Sequence, residues 1–263
     1  MTQPYGSDQL DIGRVISRTF SAVGSNFISF FLLSLIVAGV STAVVTYVTQ
    51  AYVMPAVIRG GGYSVTMALF IQFGSMIVLW IPTYVLIGAI THGSIAYLSG
   101  GRASLAESLG TGLSRMVPMI VLGFLSSLGM GFFLLLFIIP GVMAAVRWSV
   151  AAPALVAERI GPLEAFSRSG DLTRDNRWRI FWLFVIWMVV GFLIQLAVTA
   201  GMGFMVRSVD SFGPFTVWIY YGILAVYTAV TSMIGATGSA ALYTELRTIK
   251  EGATTAELAK VFD

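Results

Sequence analysis

Three arginines, Arg168, Arg174 and Arg177, lie within ten residues of one another in the polar stretch AFSRSGDLTRDNRW, which separates two long apolar runs. A guanidinium group donates several hydrogen bonds in a planar fork and can bind two phosphate oxygens at once. Beside a membrane, such a cluster can bind the phosphate groups of anionic lipids or of a lipid-like substrate. Asp171 and Asp175 in the same stretch partly neutralise it. The alternative interpretation is a cytoplasmic turn that is basic because membrane insertion retains Lys and Arg on that side.

The residues around this stretch are typical of a turn between two membrane helices. Glu158 is predicted to end the helix before the turn and to form a structural salt bridge with one of the first two arginines. Gly161 and Pro162 follow, and a proline fits the first turn of a helix because its missing N–H has no helical partner to lose there. Trp178 fits an aromatic anchor at the membrane surface.

Arg147 is the one basic residue inside a predicted membrane segment. A charge inside the hydrocarbon is costly, so such a residue is a functional candidate by default. It lies six residues after Gly141, however, and its side chain can also reach the outer interface. Glu158 is about 16 Å away by helical rise, so the two side chains are not expected to pair.

The single histidine, His92, is the remaining residue with a catalytic or metal-binding side chain. It has no cysteine or carboxylate close to it in sequence, which favours an interfacial hydrogen bond over a metal site. The sequence contains no Gly-rich phosphate loop, HExxH motif or nucleophile elbow. We therefore predict no catalytic residue, no metal and no cofactor.

The elements that carry these residues are predicted to be membrane helices. Hydrophobic residues make up 57% of the 263 residues and charged residues 10%, against about 25% charged residues in soluble domains. Six segments are long and apolar enough to span a bilayer, although the fourth is short and contains Arg147 and Pro153, which indicates a tilted or broken helix. The segments are 27–52, 65–90, 116–139, 142–157, 180–206 and 212–243.

The distribution of basic residues predicts the orientation, because cytoplasmic loops retain Lys and Arg. With the amino terminus inside, twelve of the fifteen basic residues fall on the cytoplasmic side. Both termini are therefore expected in the cytoplasm, and the protein in the bacterial inner membrane. The net charge of +3 is explained by this topology, so it indicates no nucleic-acid partner.

Three amphipathic segments precede the first, third and fifth membrane segments. Apolar residues recur at helical spacing from Ile12 to Val23, from Leu105 to Met116 and, more weakly, from Ile160 to Phe166. Such helices are expected to lie in the cytoplasmic interface. The sequence thus predicts an all-α polytopic bundle, a single membrane domain over residues 1–263, built from three units of one interfacial helix and one membrane hairpin.

A recurring pattern covers the fourth segment and the Arg-rich stretch. Its fixed positions are Pro153, Leu155, Val156, Glu158, Gly161, Ala165, Arg168, Ser169, Leu172, Thr173, Arg174 and Trp178. The pattern resembles one in a broad group of bacterial six-span inner-membrane proteins of poorly defined function, which is similar to the membrane domain attached to some glycerophosphodiester phosphodiesterases. This resemblance implies a role in envelope or lipid homeostasis. It implies no phosphodiesterase activity, because the soluble catalytic barrel of those fusions has no counterpart here.

Three functions fit these features. The first is a non-enzymatic membrane protein that binds anionic phospholipids or serves as an accessory subunit of a larger membrane assembly, with a membrane-protein partner or a second copy of itself. The second is a small-molecule or lipid transporter, which the kinked second segment and the broken fourth would favour. The third is a lipid-modifying enzyme built from His92, Glu158 and the arginines, and it has the fewest chemical groups to support it.

Overall fold

Helices let long apolar runs pair every backbone N–H and C=O within one segment, which is a requirement inside a bilayer. The computed structural model describes residues 9–50, 65–207 and 215–252, and within those ranges every regular element is a helix. A π-helical segment, Leu35–Val40, joins the helices Phe27–Ser34 and Ser41–Val48. The helices are α1 (Ile12–Ser25), α2 (Phe27–Ser34), α3 (Ser41–Val48), α4 (Val65–Leu98), α5 (Leu105–Ser114), α6 (Met116–Leu136), α7 (Ile138–Arg147), α8 (Ala151–Glu158), α9 (Pro162–Thr173), α10 (Arg177–Arg207) and α11 (Phe215–Glu251).

Six helical stretches of the described residues are long and apolar enough to cross a membrane. The prediction of an all-α, polytopic membrane protein with six spanning segments is therefore confirmed. The predicted end of the first segment at residue 52 and the predicted start of the sixth at residue 212 lie outside the described residues. The stretches are Phe27–Val48, Phe73–Leu98, Met116–Leu136, Ile138–Glu158, Arg177–Gly201 and Trp218–Glu251.

The turn between the third and fourth spans lies earlier than the sequence indicated. Phe137 is extended, with φ −158° and ψ 139°, so α7 begins at Ile138 and not at residue 142. Pro140 is thus in the first turn of α7, where its missing N–H removes no helical hydrogen bond. A side chain at Gly141 would lie 2.4 Å from that of Leu134, so this glycine lets α6 and α7 approach closely.

The fourth span is broken between α7 and α8, in agreement with the sequence-based prediction. The chain turns at residues 148–150, and the side chain of Ser169 in α9 binds both sides of this turn. Its hydroxyl donates to the carbonyl oxygen of Arg147 at 2.7 Å and accepts from the N–H of Val150 at 3.3 Å. Ser169 is fully buried, so the backbone groups that the break releases are paired inside the protein.

The three amphipathic segments form helices α1, α5 and α9, and each begins at a recognisable cap. Asp11 accepts a hydrogen bond from the N–H of Arg14. Ser104 and Glu107 form a reciprocal capping box, and Gly161 precedes the proline that starts α9. Each of these helices is followed by a short break and then by a spanning helix. Their position in a cytoplasmic interface stays a prediction.

Each amphipathic helix packs against a spanning helix that belongs to the neighbouring unit of the chain. Helix α5 packs on α4 and α9 packs on α8, in both cases the helix that precedes it. Helix α1 packs on α11, the last helix, so the arrangement closes on itself. We name these contacts the first junction (α1 on α11), the second junction (α5 on α4) and the third junction (α9 on α8). The first and third junctions contain ion pairs between the two helices.

The second junction depends on glycines. A Cβ atom added at Gly112 of α5 would lie 2.4 Å from the backbone oxygen of Val85 in α4, and one added at Gly88 would lie 3.1 Å from the Cα of Gly112. The two backbones therefore touch directly, as small residues permit in membrane proteins. Gly110, two residues earlier in α5, faces open space, and a Cβ there would meet no atom within 4 Å.

We expect Gly112→Ala to destabilise the protein by roughly 1–3 kcal/mol, because the new methyl group must push α5 away from a backbone atom of α4. Gly110→Ala is the matched control, and it should be neutral or stabilising by up to about 1 kcal/mol because alanine favours the helix. Thermal unfolding of both purified variants in detergent measures the difference. Equal unfolding midpoints would show that α4 and α5 are not in backbone contact.

Candidate functional site

The third junction is held by an ion pair between Arg168 and Glu158. The Nε of Arg168 donates to both carboxylate oxygens of Glu158, each at 2.8 Å. Glu158 is the last residue of α8 and Arg168 lies in α9, so the pair joins the two sides of the turn between them. Of the two arginine partners that the sequence offered to Glu158, the structure selects Arg168.

Helix α11 extends this pair into a network. The hydroxyl of Tyr243, a fully buried residue, donates to Glu158 at 2.8 Å. Glu251 accepts hydrogen bonds from Arg168 and, at 2.8 Å, from the Nε of Arg247. Burial lowers the pKa of Arg168, but the bonds to Glu251 and Glu158 outweigh it, so its pKa lies above the ordinary value. The positive charges of Arg168 and Arg247 are thus neutralised by the negative charges of Glu158 and Glu251, and Tyr243 is bonded to Glu158.

The other charged residues of the Arg-rich stretch (165–178), and its tryptophan, lie nearer the surface. Arg174 and Trp178 are exposed, and Trp178 has 76% of its surface accessible. Arg177 is half-buried, and its Nε has no hydrogen-bond partner within the described part of the chain. Asp175 is bonded to Lys250 of α11, which is the main reason why its pKa lies below the ordinary value. Asp175 therefore neutralises the neighbouring arginines only in part, because its carboxylate is also bonded to Lys250.

Arg147 lies beside the third junction. It is the last residue of α7 and is exposed, and its guanidinium lies against α9, where a Cβ at Gly170 would come within 2.8 Å of the Nε. The backbone oxygen of Arg147 is the one that Ser169 binds. The side chain thus contacts the helix of the Arg-rich stretch, a contact that neither of the two sequence-based interpretations of Arg147 included. Its contact with Gly170 follows from the break in the fourth span.

The first junction has an ion-paired carboxylate that the sequence analysis missed. Glu245 of α11 is only 1% exposed and pairs with Arg14 at 3.1 Å and with Arg18 at 2.8 Å, both in α1. The predicted sixth span stopped at Tyr243, because charged residues follow it. The available signal was the position of Glu245 two residues after an apolar run, with α1 offering two arginines one helical turn apart.

His92 belongs to the second junction. It lies in α4, near its carboxyl end, and lines a cavity of about 540 Å³ between α4 and α5. The charged residues around the same cavity are Arg102 and Glu107. Within the described ranges, no group of three or more His, Cys, Asp or Glu residues is arranged to hold a metal ion. His92 and Glu158 line different junctions, so the structure does not bring these two residues into one site.

These features define a multi-pass helical membrane protein in which amphipathic helices are joined to spanning helices by buried polar contacts. A family model covers nearly all of the chain and matches residues 10–246. The chain therefore belongs to this family, whose description is Domain of unknown function (DUF7847). No curated protein and no solved structure matches the chain. The residues themselves must therefore support any functional assignment.

We expect Glu158→Gln to destabilise the protein by roughly 1–3 kcal/mol, because it leaves a partly buried Arg168 with one carboxylate partner instead of two. Tyr243→Phe should cost about 1 kcal/mol through the lost hydrogen bond. Glu164→Gln is the control, since Glu164 is an exposed residue of the same helix, α9, and its loss should cost about 0.5 kcal/mol or less. Chemical or thermal unfolding in detergent gives the ranking, and equal effects of Glu158→Gln and Glu164→Gln would contradict it.

Proposed function

We propose that this protein is a non-enzymatic membrane protein that binds anionic phospholipids through the Arg-rich stretch. The proposal rests on one observation: the three arginines of this stretch differ in their hydrogen-bond partners and in their exposure. Arg168 is bonded to Glu158 and Glu251, whereas Arg174 is exposed and Arg177 is half-buried. The Nε of Arg177 has no hydrogen-bond partner among the described residues, but it is buried, so Arg177 can bind a phosphate only through the rest of its guanidinium group. Arg174 therefore has donor groups available for a phosphate, with Arg177 beside it, and Arg168 acts as the structural support of the turn.

The surroundings of these two arginines suit a lipid headgroup. Trp178 follows Arg177 directly and exposes most of its indole ring, and Trp182 is 55% exposed one turn later. Tryptophans of this kind are enriched at the level of the headgroups. A basic residue at that level gains about 1 kcal/mol from an anionic surface. The basic stretch and the aromatic rings together thus favour the phosphate of a lipid over a soluble anion.

The orientation belongs to the same proposal. Twelve of the fifteen basic residues fall on one side of the six-span arrangement, so this side is cytoplasmic under the positive-inside rule. Both termini and the Arg-rich stretch then face the cytoplasm of a bacterium, in its inner membrane. The resemblance of residues 153–178 to the membrane domain of certain phosphodiesterase fusions supports a role in lipid or envelope homeostasis. The proposed role needs no catalytic group, metal or cofactor.

A role as an accessory subunit is a second candidate, and Gln195 in α10 favours it. This residue is exposed within a spanning stretch, and its amide donates to the hydroxyl of Thr199, also exposed, at 3.1 Å. Polar side chains on the outside of a membrane helix are costly in lipid and commonly bind another helix. A membrane-protein partner or a second copy of this chain on α10 would cover both residues.

A transporter has weaker support. The break in the fourth span was the main feature that favoured it, since broken helices can present free backbone groups to a ligand. Here Ser169 pairs with groups on both sides of the break, and Arg147 contacts α9. These contacts support a structural role for the break. A lipid-modifying enzyme also has little support, because Glu158 is engaged by Arg168 and Tyr243.

We expect Arg174→Ala and Arg177→Ala each to weaken the binding of phosphatidylglycerol about fivefold, the equivalent of about 1 kcal/mol per basic residue. Lipid retention by the detergent-purified protein, measured by native mass spectrometry over a series of lipid concentrations, gives the affinities. Arg159→Gly is the matched control: it removes one exposed arginine close to the stretch, and glycine accepts the positive φ of 55° at that position.

The control variant should change the affinity by less than twofold. An equal loss of phosphatidylglycerol affinity in Arg159→Gly and in the two alanine variants would show that the arginines contribute only general surface charge. That result would refute a specific site. Retention of phosphatidylglycerol that is unchanged in the double variant would refute lipid binding by these arginines altogether. A stoichiometric protein that copurifies instead, and that Gln195→Leu removes, would favour the accessory subunit.

A further inference from the structure

The three amphipathic helices can be compared position by position from their N-caps, and this comparison shows how the second junction differs from the other two. The residue seven positions after the N-cap is Arg18 in α1 and Arg168 in α9, but Thr111 in α5. The N-cap residues are Asp11, Gly161 and Ser104, respectively. Arg18 and Arg168 both pair at 2.8 Å with a glutamate of the helix on which they pack. Thr111 has a short side chain and no charge. At this position the second junction therefore has a threonine and no ion pair, unlike the other two junctions.

A cavity occupies the corresponding place in the second junction. It measures about 540 Å³, and Thr111 is one of the residues that line it. This volume is within the range of small-molecule sites in proteins, about 300–1,000 Å³. Arg102, Glu107 and Gly110 on its edge are exposed, whereas Ala96 and Ser99 are buried, so the cavity leads from the surface into the protein.

The buried part of this cavity contains an unsatisfied hydroxyl group. Ser99 is only 7% exposed, and its Oγ has no hydrogen-bond partner among the residues that the structure describes. A buried hydroxyl without a partner costs free energy, so such groups are normally paired with protein, water or a ligand. The Oγ of Ser99 is itself inaccessible to solvent, so it adds to the polarity of the buried wall without contacting a ligand, whereas the half-buried Thr111 contributes its hydroxyl to the cavity.

The edge of the cavity carries one charge of each sign. Arg102 provides a guanidinium, and Glu107 provides a carboxylate whose pKa is held below the ordinary value by the hydrogen bonds it exchanges with Ser104. Glu107 is therefore ionised at neutral pH and stays in place as the third residue of its helix. A ligand with a negative charge alone would be repelled by it, and one with a positive charge alone would be repelled by Arg102.

We propose that the cavity of the second junction binds a small zwitterion that carries an anionic group and an ammonium group. The anionic group is held by Arg102 with the hydroxyl of Thr111, and the ammonium group by Glu107. The ethanolamine phosphate headgroup of a lipid and a free soluble zwitterion share this chemistry. The site is separate from the Arg-rich stretch, which belongs to the third junction, and the proposal does not depend on the function proposed above.

The test uses the full-length protein in nanodiscs of phosphatidylglycerol, a lipid without an ammonium group. In one arm, part of this lipid is replaced by phosphatidylethanolamine, and native mass spectrometry measures which lipid is retained. In the other arm, soluble phosphoethanolamine is titrated by calorimetry, with glycerol 3-phosphate as the probe that lacks the ammonium. Saturable binding of an ethanolamine-bearing probe in either arm supports the site, and the arm in which it occurs identifies the source of the ligand.

Two variants and one control locate the binding. Gly110→Leu directs a side chain into the open space of the cavity and should abolish binding, whereas Gly24→Leu, at a glycine of α1 that also faces open space, should leave it unchanged. Glu107→Gln keeps the capping box, because glutamine also serves at that position, and should weaken binding about tenfold through the lost charge.

Three results would overturn the proposal. The first is the absence of saturable binding in both arms. The second is equal binding by Gly110→Leu and Gly24→Leu. The third is equal affinity for glycerol 3-phosphate and phosphoethanolamine, or an affinity for phosphoethanolamine that Glu107→Gln leaves unchanged, because the ammonium group would then contribute nothing.

Discussion

Ion pairs between arginines of α1 and α9 and glutamates of the spanning helices fix the position of two of the three amphipathic helices. Glu245 receives two arginines of α1, and Glu158 receives one of α9. A carboxylate that is 1% exposed, as Glu245 is, has lost its hydration, and the two arginines compensate for that loss. The positions of α1 and α9 are therefore restricted to those that bring an arginine to each glutamate. The apolar faces of these helices add area, but the ion pairs fix their register.

The carboxyl-terminal half of α11 is where these pairs converge. Along a few helical turns it presents Tyr243 and Glu251 to the third junction and Glu245 to the first. Lys250 on the same helix binds Asp175 in the turn after α9. One helix thus connects the first and third units of the chain, although about 150 residues separate α1 from α9. Removal of the polar end of α11 would break the ion pairs of the first junction and remove two partners of the third, whose Arg168–Glu158 pair would remain.

Most of the fold could be predicted from the sequence, because hydrocarbon thickness and backbone pairing impose strong limits on the spans. The failures concern charged residues whose partners are distant in sequence. The sixth span was ended at Tyr243 because Glu245 and Arg247 follow, yet α11 continues to Glu251 since both charges are paired. The ion pairs of Arg168 with Glu158 and Glu251 were likewise not fully predictable, because Glu251 lies 83 residues away in sequence. The local sequence shows that a charged residue is present, but its ion-pair partner can be identified only from the folded structure.

The closure of the first helix on the last has a consequence for synthesis at the ribosome. Arg14 and Arg18 enter the membrane surface early, whereas their partner Glu245 is translated about 230 residues later. At bacterial and eukaryotic elongation rates of about 5–20 residues per second, the two arginines wait roughly 10–50 seconds for it. Throughout that interval α1 is without the helix on which it packs, and its two cations are left to water, to Asp11 or to other groups at the membrane surface. The ring of three units is therefore completed only at the end of translation, when the last helix is inserted.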